Sequence, residues 1–476
     1  MTILSLDLGT TTITGVLWGG QPARVLGLTR RRNDAGLETG KPLRAEQDPR
    51  QVEALALEVL AELASGAAAD VGDPPRALAL TGQMHGLLCV DAAGEALGPL
   101  ITWQDRRTAE PLARGGGAPT MDEIQARLAD LDWQANGCRI RHGDGAATLF
   151  WLSSHGAVPP GTRGVSPLAG WLVGRLAGRT PAIDPSFAAS WGLYDLLRGG
   201  WNEAFLDCLG IDRRLLPDVR PAADPVGRLL PAIARRTGLP ADLPVLNPVG
   251  DNQAAYLGST WAPGPATPAI LANLGTGGQI CWAVPAWQPP GEAVETRPLP
   301  RLPGSTAAGP RFLRVGASLC GGGAYAWLEH TVRAWLAEFG MEIDADEVYR
   351  RLNALTATCP DTQGLQVRTT FLGTRDDPGV EGGAIEGITP DNMSLGALAR
   401  ATLAGMVDEL YGLYAAHGGP ETGADRIVAA GGAVERNPLL VKLIEERFGT
   451  AARPAPLPEP AAVGAAVLAA AALARR

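Results

Sequence analysis

Two short stretches govern what this chain can fold into, because each sets a turn of glycine and threonine between two apolar runs: LSLDLGTTTITGVLWGG near the N-terminus and ILANLGTGGQICWAV from Ile270. The flanking runs have the length and composition of buried strands. A plain hairpin favours Asn-Gly or Gly-Gly at its turn and has no use for successive hydroxyls. Gly9, Thr10, Thr11 and Thr12, and in the second stretch Gly275, Thr276 and Gly277, are therefore read as backbone amides and hydroxyls gathered into a concavity for phosphate oxygens. One such turn in each half is a weak internal repeat, and it predicts two similar units facing one another across a cleft where they clamp a polyphosphate. Lysine occurs only at Lys41 and Lys442, neither in a P-loop, so phosphate must be held without that cation. Asp7, just before the first turn, is a candidate to hold magnesium directly or through waters. The structural alternative pairs Asp7 with an arginine and leaves the threonines as strand residues.

The rest of the chain mixes both kinds of element, which predicts an α/β protein. ILSLDL, RALALTG, GVLW and RIVAAGG read as buried strands, while QVEALALEVLAELAS, AYAWLEHTVRAWLAEFG and LGALARATLAGMVDELYGLYAAH carry helical spacing. At 476 residues, 46% of them hydrophobic, two large domains are expected. The boundary is placed in the proline-rich run that ends at Gly250, giving units 1–247 and 248–476. The alanine-rich AAVGAAVLAAAALA is too short for a membrane span and reads as a buried helix. Asp7 interrupts the only apolar run that a secretory leader would need, so a cytoplasmic setting without membrane association is expected. Six cysteines without a C-x-x-C pair argue against a zinc site or a disulfide framework, and five histidines without H-E-x-x-H against a zinc hydrolase. A net charge of -9 with no basic run disfavours nucleic acid as a partner.

With those segments in view, LSLDLGTTTITGVL, ILANLGTGGQI and RIVAAGGAVERNPLL resemble, in order, the first phosphate, second phosphate and adenosine segments of the actin-like ATPase superfamily. TGQMHGLLCVDAAG, ITWQDRR and GDNQAAYLGS are similar to the FGGY carbohydrate kinases acting on ketoses, and the resemblance runs over nearly the whole chain. TWQDRR, GDGAATLFWL, FAASWGLYD followed by Trp201-Asn202, and VGASLCGGG resemble the sedoheptulokinase branch; WQDRR is also similar to glycerol kinases, and GTGGQ departs from the serine-containing turns common in the family. The resemblance implies two ribonuclease H-like domains flanking a cleft. It also implies transfer of the γ-phosphate of ATP, with Mg2+, to the terminal hydroxyl of a ketose. The ketose expected is sedoheptulose, with xylulose as the alternative acceptor and a non-catalytic actin-like regulator as the alternative class. A monomer or homodimer is expected.

The same resemblance assigns roles to particular residues. Asp251 in GDNQ is the candidate general base; its structural alternative is an ordinary helix cap. Asn252 is expected to meet sugar hydroxyls or to support the loop. Gln83, Met84 and His85 stand where a strand leaves the sheet and are assigned to the sugar pocket, with Gly86 giving close access to the backbone. Trp103 is expected to offer a flat wall to the sugar and Asp105 to accept from its hydroxyls; the alternatives are a core tryptophan and an aspartate paired with Arg106 or Arg107. Gly322, Gly323, Gly431, Gly432 and Asn437 are assigned to the purine and ribose.

Overall fold

In the computed structural model the first two apolar runs become strands β1 (Ile3–Leu8) and β2 (Thr12–Gly19), paired antiparallel with Asp7 opposite Thr14. Residues 1–112, 117–261, 269–291, 293–301, 311–372 and 382–474 are described. β3 (Arg24–Arg32) extends the sheet antiparallel to β2, and β4 (Leu78–Gly82) lies parallel to β1 on its other side. The crossover between them carries α1 (Pro49–Ser65), whose N-terminus is fixed by Asp48 accepting from the Arg50 amide, with proline in the first turn. Residues 83–224 form a long insertion that includes α2 (Gly145–Ser154) and the short helix α3 (Pro185–Ser190). β5 (Pro225–Arg228) and β6 (Pro244–Leu246) then complete the order β5-β6-β4-β1-β2-β3, and β7 (Val249–Gly250) also pairs with β4.

The chain next enters helix α4 (Asp251–Thr260) and builds a second sheet. Its strands are β8 (Ala269–Leu274), β9 (Gly278–Val284), β10 (Val294–Pro298), β11 (Phe312–Ser318), β12 (Arg426–Ala430) and β13 (Ala452–Pro454), in the order β10-β11-β9-β8-β12-β13. β8 is antiparallel to β9 and parallel to β12, just as β1 is antiparallel to β2 and parallel to β4. The weak repeat in the sequence is thus a repeat of strand pairing, and each glycine-threonine turn joins the same two positions of its sheet. Helices α5 (Gly321–Glu338), α6 (Ala345–Thr358) and α7 (Leu395–Ala416) supply much of the second core. The short helix α8 (Gly432–Arg436) follows β12, and the chain closes on α9 (Pro460–Leu473).

The alanine-rich run that becomes α9 is buried against β1, β2 and β4 of the first sheet and against α4. Its composition follows from that packing. A Cβ on Gly464 would lie 1.8 Å from the Ala254 carbonyl oxygen, and one on Gly258 would lie 1.9 Å from that of Pro460, so the two helices meet backbone to backbone. α4 touches the second sheet through Tyr256 and Leu257, which share a cluster with Leu271 and Val428. The α4/α9 pair is therefore the seam of the molecule, and α4 carries Asp251 at its first position. The proline-rich run in which the boundary is placed belongs in part to the first sheet. Val245, Leu246 and Asn247 are buried in or beside β6, because Pro244–Leu246 adds to the first sheet rather than spanning a gap. No helix of the described residues is long and apolar enough to cross a membrane.

Candidate active site

The first turn is held by side chains distant in sequence. The Gly9 carbonyl accepts from Asn33 Nδ2 at 2.9 Å, the Thr11 carbonyl from the Asn33 amide at 2.9 Å, and the Thr10 carbonyl from Gln47 Nε2 at 2.9 Å. Gln47 Oε1 in turn accepts from Gln83 Nε2 at 2.9 Å, and Gln83 Oε1 from the Thr10 hydroxyl at 3.4 Å. Trp103 Nε1 donates to the same hydroxyl at 3.0 Å. With its carbonyls occupied in this way the turn leaves other groups available: among the described residues the hydroxyls of Thr11 and Thr12 have no partner, and Thr11 is exposed. Asn33 and Gln47 escape sequence reasoning because nothing local marks them.

The second turn is braced by the start of α5. The Gly322 amide donates to the Gly275 carbonyl at 2.7 Å and the Gly323 amide to that of Thr276 at 2.8 Å. A Cβ on Gly321 would lie 2.3 Å from the Gly277 carbonyl, so only glycine admits this contact. The amides of Gly322 and Gly323 are thereby committed to the turn itself. Gly431 has φ of 95° and would press a Cβ to within 2.5 Å of the Leu274 carbonyl oxygen, which ties the start of α8 to the end of β8. Gly432 opens α8 beside the Arg436 guanidinium. Asn437 is buried; its Nδ2 donates to Asn353 Oδ1 at 2.9 Å and its Oδ1 accepts from the Leu439 amide at 3.2 Å. Its side chain therefore joins α6 to the following helix. This differs from a free purine contact, because Asn353, which also accepts from Tyr325 Oη at 3.1 Å, lies within reach.

Between the two halves lies a cleft of about 1140 Å³, lined by Asp7, Met84, His85, Trp103, Asp251 and Asn252 among others. Burial, and the nearby charges of Asp251 and Glu459, push the Asp7 carboxyl up to about 8, and its buried Oδ1 has no hydrogen-bond partner. Burial also raises Asp251, against the opposing effects of His85, the Asn252 amide and Arg297. Asp251 Oδ1 accepts from the Asn252 amide at 2.7 Å, while Asn252 Nδ2 donates to Gln279 Oε1 at 2.8 Å. The helix cap is not the Asp251 side chain, since the capping position is Gly250.

On the other wall, His85 has φ of 70°. Its Nδ1 lies 2.8 Å from both Asp144 Oδ1 and the Ser190 carbonyl, two acceptors, which requires the proton on Nδ1. Nε2 is left to meet a ligand. Two expected pocket residues are directed elsewhere. Gln83 is buried in the network under the first turn. Asp105 is also buried, its oxygens taken by the Ala45 amide, by the Arg107 amide and by the Arg107 guanidinium at 2.8 Å. It is the paired aspartate, because a carboxylate this deep needs a full set of donors. The space beside Gly86 is filled by the Ile101 carbonyl, 2.9 Å from where a Cβ would sit, so it gives no access to a sugar. Gln104, Arg106, Arg139 and His142 line the cleft instead, all from the insertion.

Family models match both halves of the chain. The model of the FGGY family of carbohydrate kinases, N-terminal domain, matches residues 2–258, and that of its C-terminal domain matches residues 287–473. Sedoheptulokinase from Mus musculus is 27% identical, with 94% of this chain and 92% of that protein covered. Glycerol kinase from Bordetella pertussis is 28% identical over 98% of this chain and 88% of its own. The crystal structure of gluconate kinase from Lactobacillus acidophilus superimposes with a TM-score of 0.81 at 20% identity, covering 100% of this chain and 90% of that one, a likeness of fold.

Proposed function

This chain belongs to the FGGY family of carbohydrate kinases, ATP-dependent phosphotransferases with an alcohol acceptor, and we propose that its acceptor is a ketose, sedoheptulose, phosphorylated at the terminal hydroxyl to give sedoheptulose 7-phosphate. The observation that carries the reading is Asp251: a half-buried carboxyl at the first position of the seam helix, lining the same cleft as Asp7 and His85. Residues 1–247 bring the sugar wall and the first phosphate turn; residues 248–476 bring Asp251 and the adenosine segment.

Phosphoryl transfer needs a positioned hydroxyl, a group to take its proton and compensation of charge on the phosphates. Asp251 takes the proton, and the burial that raises its pKa makes it a better base at neutral pH. His85, with its proton held on Nδ1, offers Nε2 to a sugar hydroxyl as an acceptor. Thr11 and Thr12 present hydroxyls to phosphate oxygens from the first turn. The residues present fit Mg2+: Asp7 has a buried oxygen without a partner and a carboxyl whose neutrality costs less than its charge until a cation arrives. Bound there, Mg2+ supplies charge neutralisation on the phosphates. Among the described residues no three such ligands gather, so the ion would keep waters or phosphate oxygens in its shell.

Pentuloses and heptuloses share a carbonyl end and differ in the length of the tail, so the distance from the common pocket to Asp251 discriminates. A sugar two carbons short leaves either its hydroxyl out of reach or polar groups of the site unpaired. Similarity to sedoheptulokinase over most of both chains supports the longer sugar. Coupled turnover of ADP with a panel of ketoses at one MgATP concentration tests this. The expected kcat/KM for sedoheptulose exceeds that for xylulose by at least ~10-fold, about 1.4 kcal/mol in transition-state binding. A preference for xylulose overturns the acceptor, and no turnover with any ketose overturns the ketose reading as a whole.

A further inference from the structure

Helix α3, the PSFAAS segment of the insertion, touches both sides of the reacting centre without lining the cleft. At its start, Ser186 is fully buried, and its Oγ lies 2.7 Å from the Gly250 amide and 2.5 Å from Asp184 Oδ1. The direction of this chain is fixed by chemistry. The Gly250 amide can only donate, so the Ser186 hydroxyl accepts there and donates its own proton to Asp184. Asp184, 1% exposed, also accepts from the Ser186 and Phe187 amides, capping α3. At the other end of α3, the Ser190 carbonyl meets His85 Nδ1 at 2.8 Å and its Oγ accepts from the His85 amide at 3.2 Å. Between these ends α3 packs against β10 of the second half.

We infer that α3 is a positioning bracket for phosphoryl transfer, in which Ser186, anchored by Asp184, holds the Gly250–Asp251 step and so aims the Asp251 carboxylate, while Ser190 separately aims His85. The inference rests on Asp251 as base. Gly250 is the residue on which α4 starts, and a Cβ there would lie 2.6 Å from Met84 Sδ and 2.9 Å from Ser186 Oγ. The step is thus clamped between α3 and the sugar wall, and a shift at Gly250 carries Asp251 with it. Loss of the Ser186 hydroxyl leaves a buried N–H without an acceptor, and the backbone would move to satisfy it. A displacement of about 1 Å at a reacting group is enough to lower a rate by up to ~10²-fold. Ser186 does not line the cleft, so ground-state binding should be spared.

The test is a double-mutant cycle of Ser186→Ala and Asp251→Asn with sedoheptulose and MgATP. Asp251→Asn alone should lower kcat by ~10²- to 10⁴-fold; near-normal turnover removes Asp251 as base and takes the bracket with it. Ser186→Ala should lower kcat by ~10- to 100-fold with ketose KM within ~3-fold, and in the Asp251→Asn background it should have no further effect on kcat. Ser190→Ala should instead raise ketose KM more than it lowers kcat. Full additivity of Ser186→Ala with Asp251→Asn, or an unchanged kcat in Ser186→Ala, overturns the inference while the base survives. If Ser186→Ala does not fold, Ser186→Cys, which keeps a weak acceptor at the same place, is carried through the same cycle: a smaller loss of kcat that vanishes in the Asp251→Asn background is expected, and an equal loss in both backgrounds overturns the inference.

Discussion

Asp184 shows at a single residue how burial and hydrogen bonding oppose each other. Three donors from its own helix pull its carboxyl down, yet burial pushes it up to about 7. A carboxyl whose folded pKa exceeds its unfolded one binds more protons folded than unfolded, so its contribution to stability is full below the unfolded pKa, near 4, and is lost as pH rises through about 7. Asp184→Asn keeps an oxygen to accept from Ser186 and removes the ionisation. The variant should therefore gain on the natural chain by at least about 1 kcal/mol between pH 5 and pH 8 in denaturant melts. A constant difference across that range would show that Asp184 does not titrate there. Thr11 gives the contrasting case, an exposed side chain with no partner among the described residues. Thr11→Val keeps the strand preference and deletes one hydroxyl, so MgATP affinity or turnover should fall ~10-fold at an unchanged melting temperature. Unchanged kinetics would make the hydroxyl structural.

Elements, more than residues, were legible in the sequence, and the reason is range. QVEALALEVLAELAS, AYAWLEHTVRAWLAEFG and LGALARATLAGMVDELYGLYAAH lie within α1, α5 and α7 or at their ends, because helical periodicity is set by near neighbours. Both glycine-threonine turns stand where they were expected, between antiparallel strands of like position. What holds those turns was not legible. Gln83 reads as a pocket residue from its place at a strand end, but Gln47, from the loop before α1, takes its amide. Asp105 reads as an acceptor for sugar until the Ala45 amide and Arg107 fill its oxygens. The glycines at the start of α5 read as a purine wall; their amides instead brace the second turn. That bracing makes an element-scale prediction. In Gly322→Ala the new Cβ would meet the Gly275 carbonyl at 2.7 Å and Ala433 at 3.2 Å, forcing α5 away from the turn. MgATP affinity should drop by ~10-fold or more while ketose binding, measured without nucleotide, stays within ~3-fold, about 0.7 kcal/mol. Equal losses for both ligands would mean that the whole half has shifted.

At the scale of the molecule, the two halves must close on their ligands, or water would compete with the acceptor hydroxyl for the γ-phosphate. Away from the α4/α9 seam, β10 carries contacts between the second half and the insertion. Glu295 pairs with Arg141 of the insertion and with Arg297 of its own strand, and the Thr296 amide donates to the Gly137 carbonyl at 2.9 Å. A Cβ on Gly137 would sit 2.0 Å from the Thr296 carbonyl oxygen, so this approach has no slack. Arg297 is buried, and the charge of Glu295 beside it is what keeps its guanidinium tolerable there. Glu295→Gln removes that charge and gives the buried Arg297 guanidinium a neutral acceptor in place of its carboxylate partner. Loss of the carboxylate that joins Arg141 to β10 weakens the contact between the insertion and the second half. Small-angle scattering with saturating sedoheptulose should show a smaller radius of gyration for the natural chain and a lesser contraction for Glu295→Gln. ATP hydrolysis per phosphorylated sugar should rise in the variant, since a cleft that closes less fully admits water. Identical scattering curves with and without sugar in the natural chain would count against closure; equal contraction and equal hydrolysis in both proteins would leave closure standing and remove Glu295 from it.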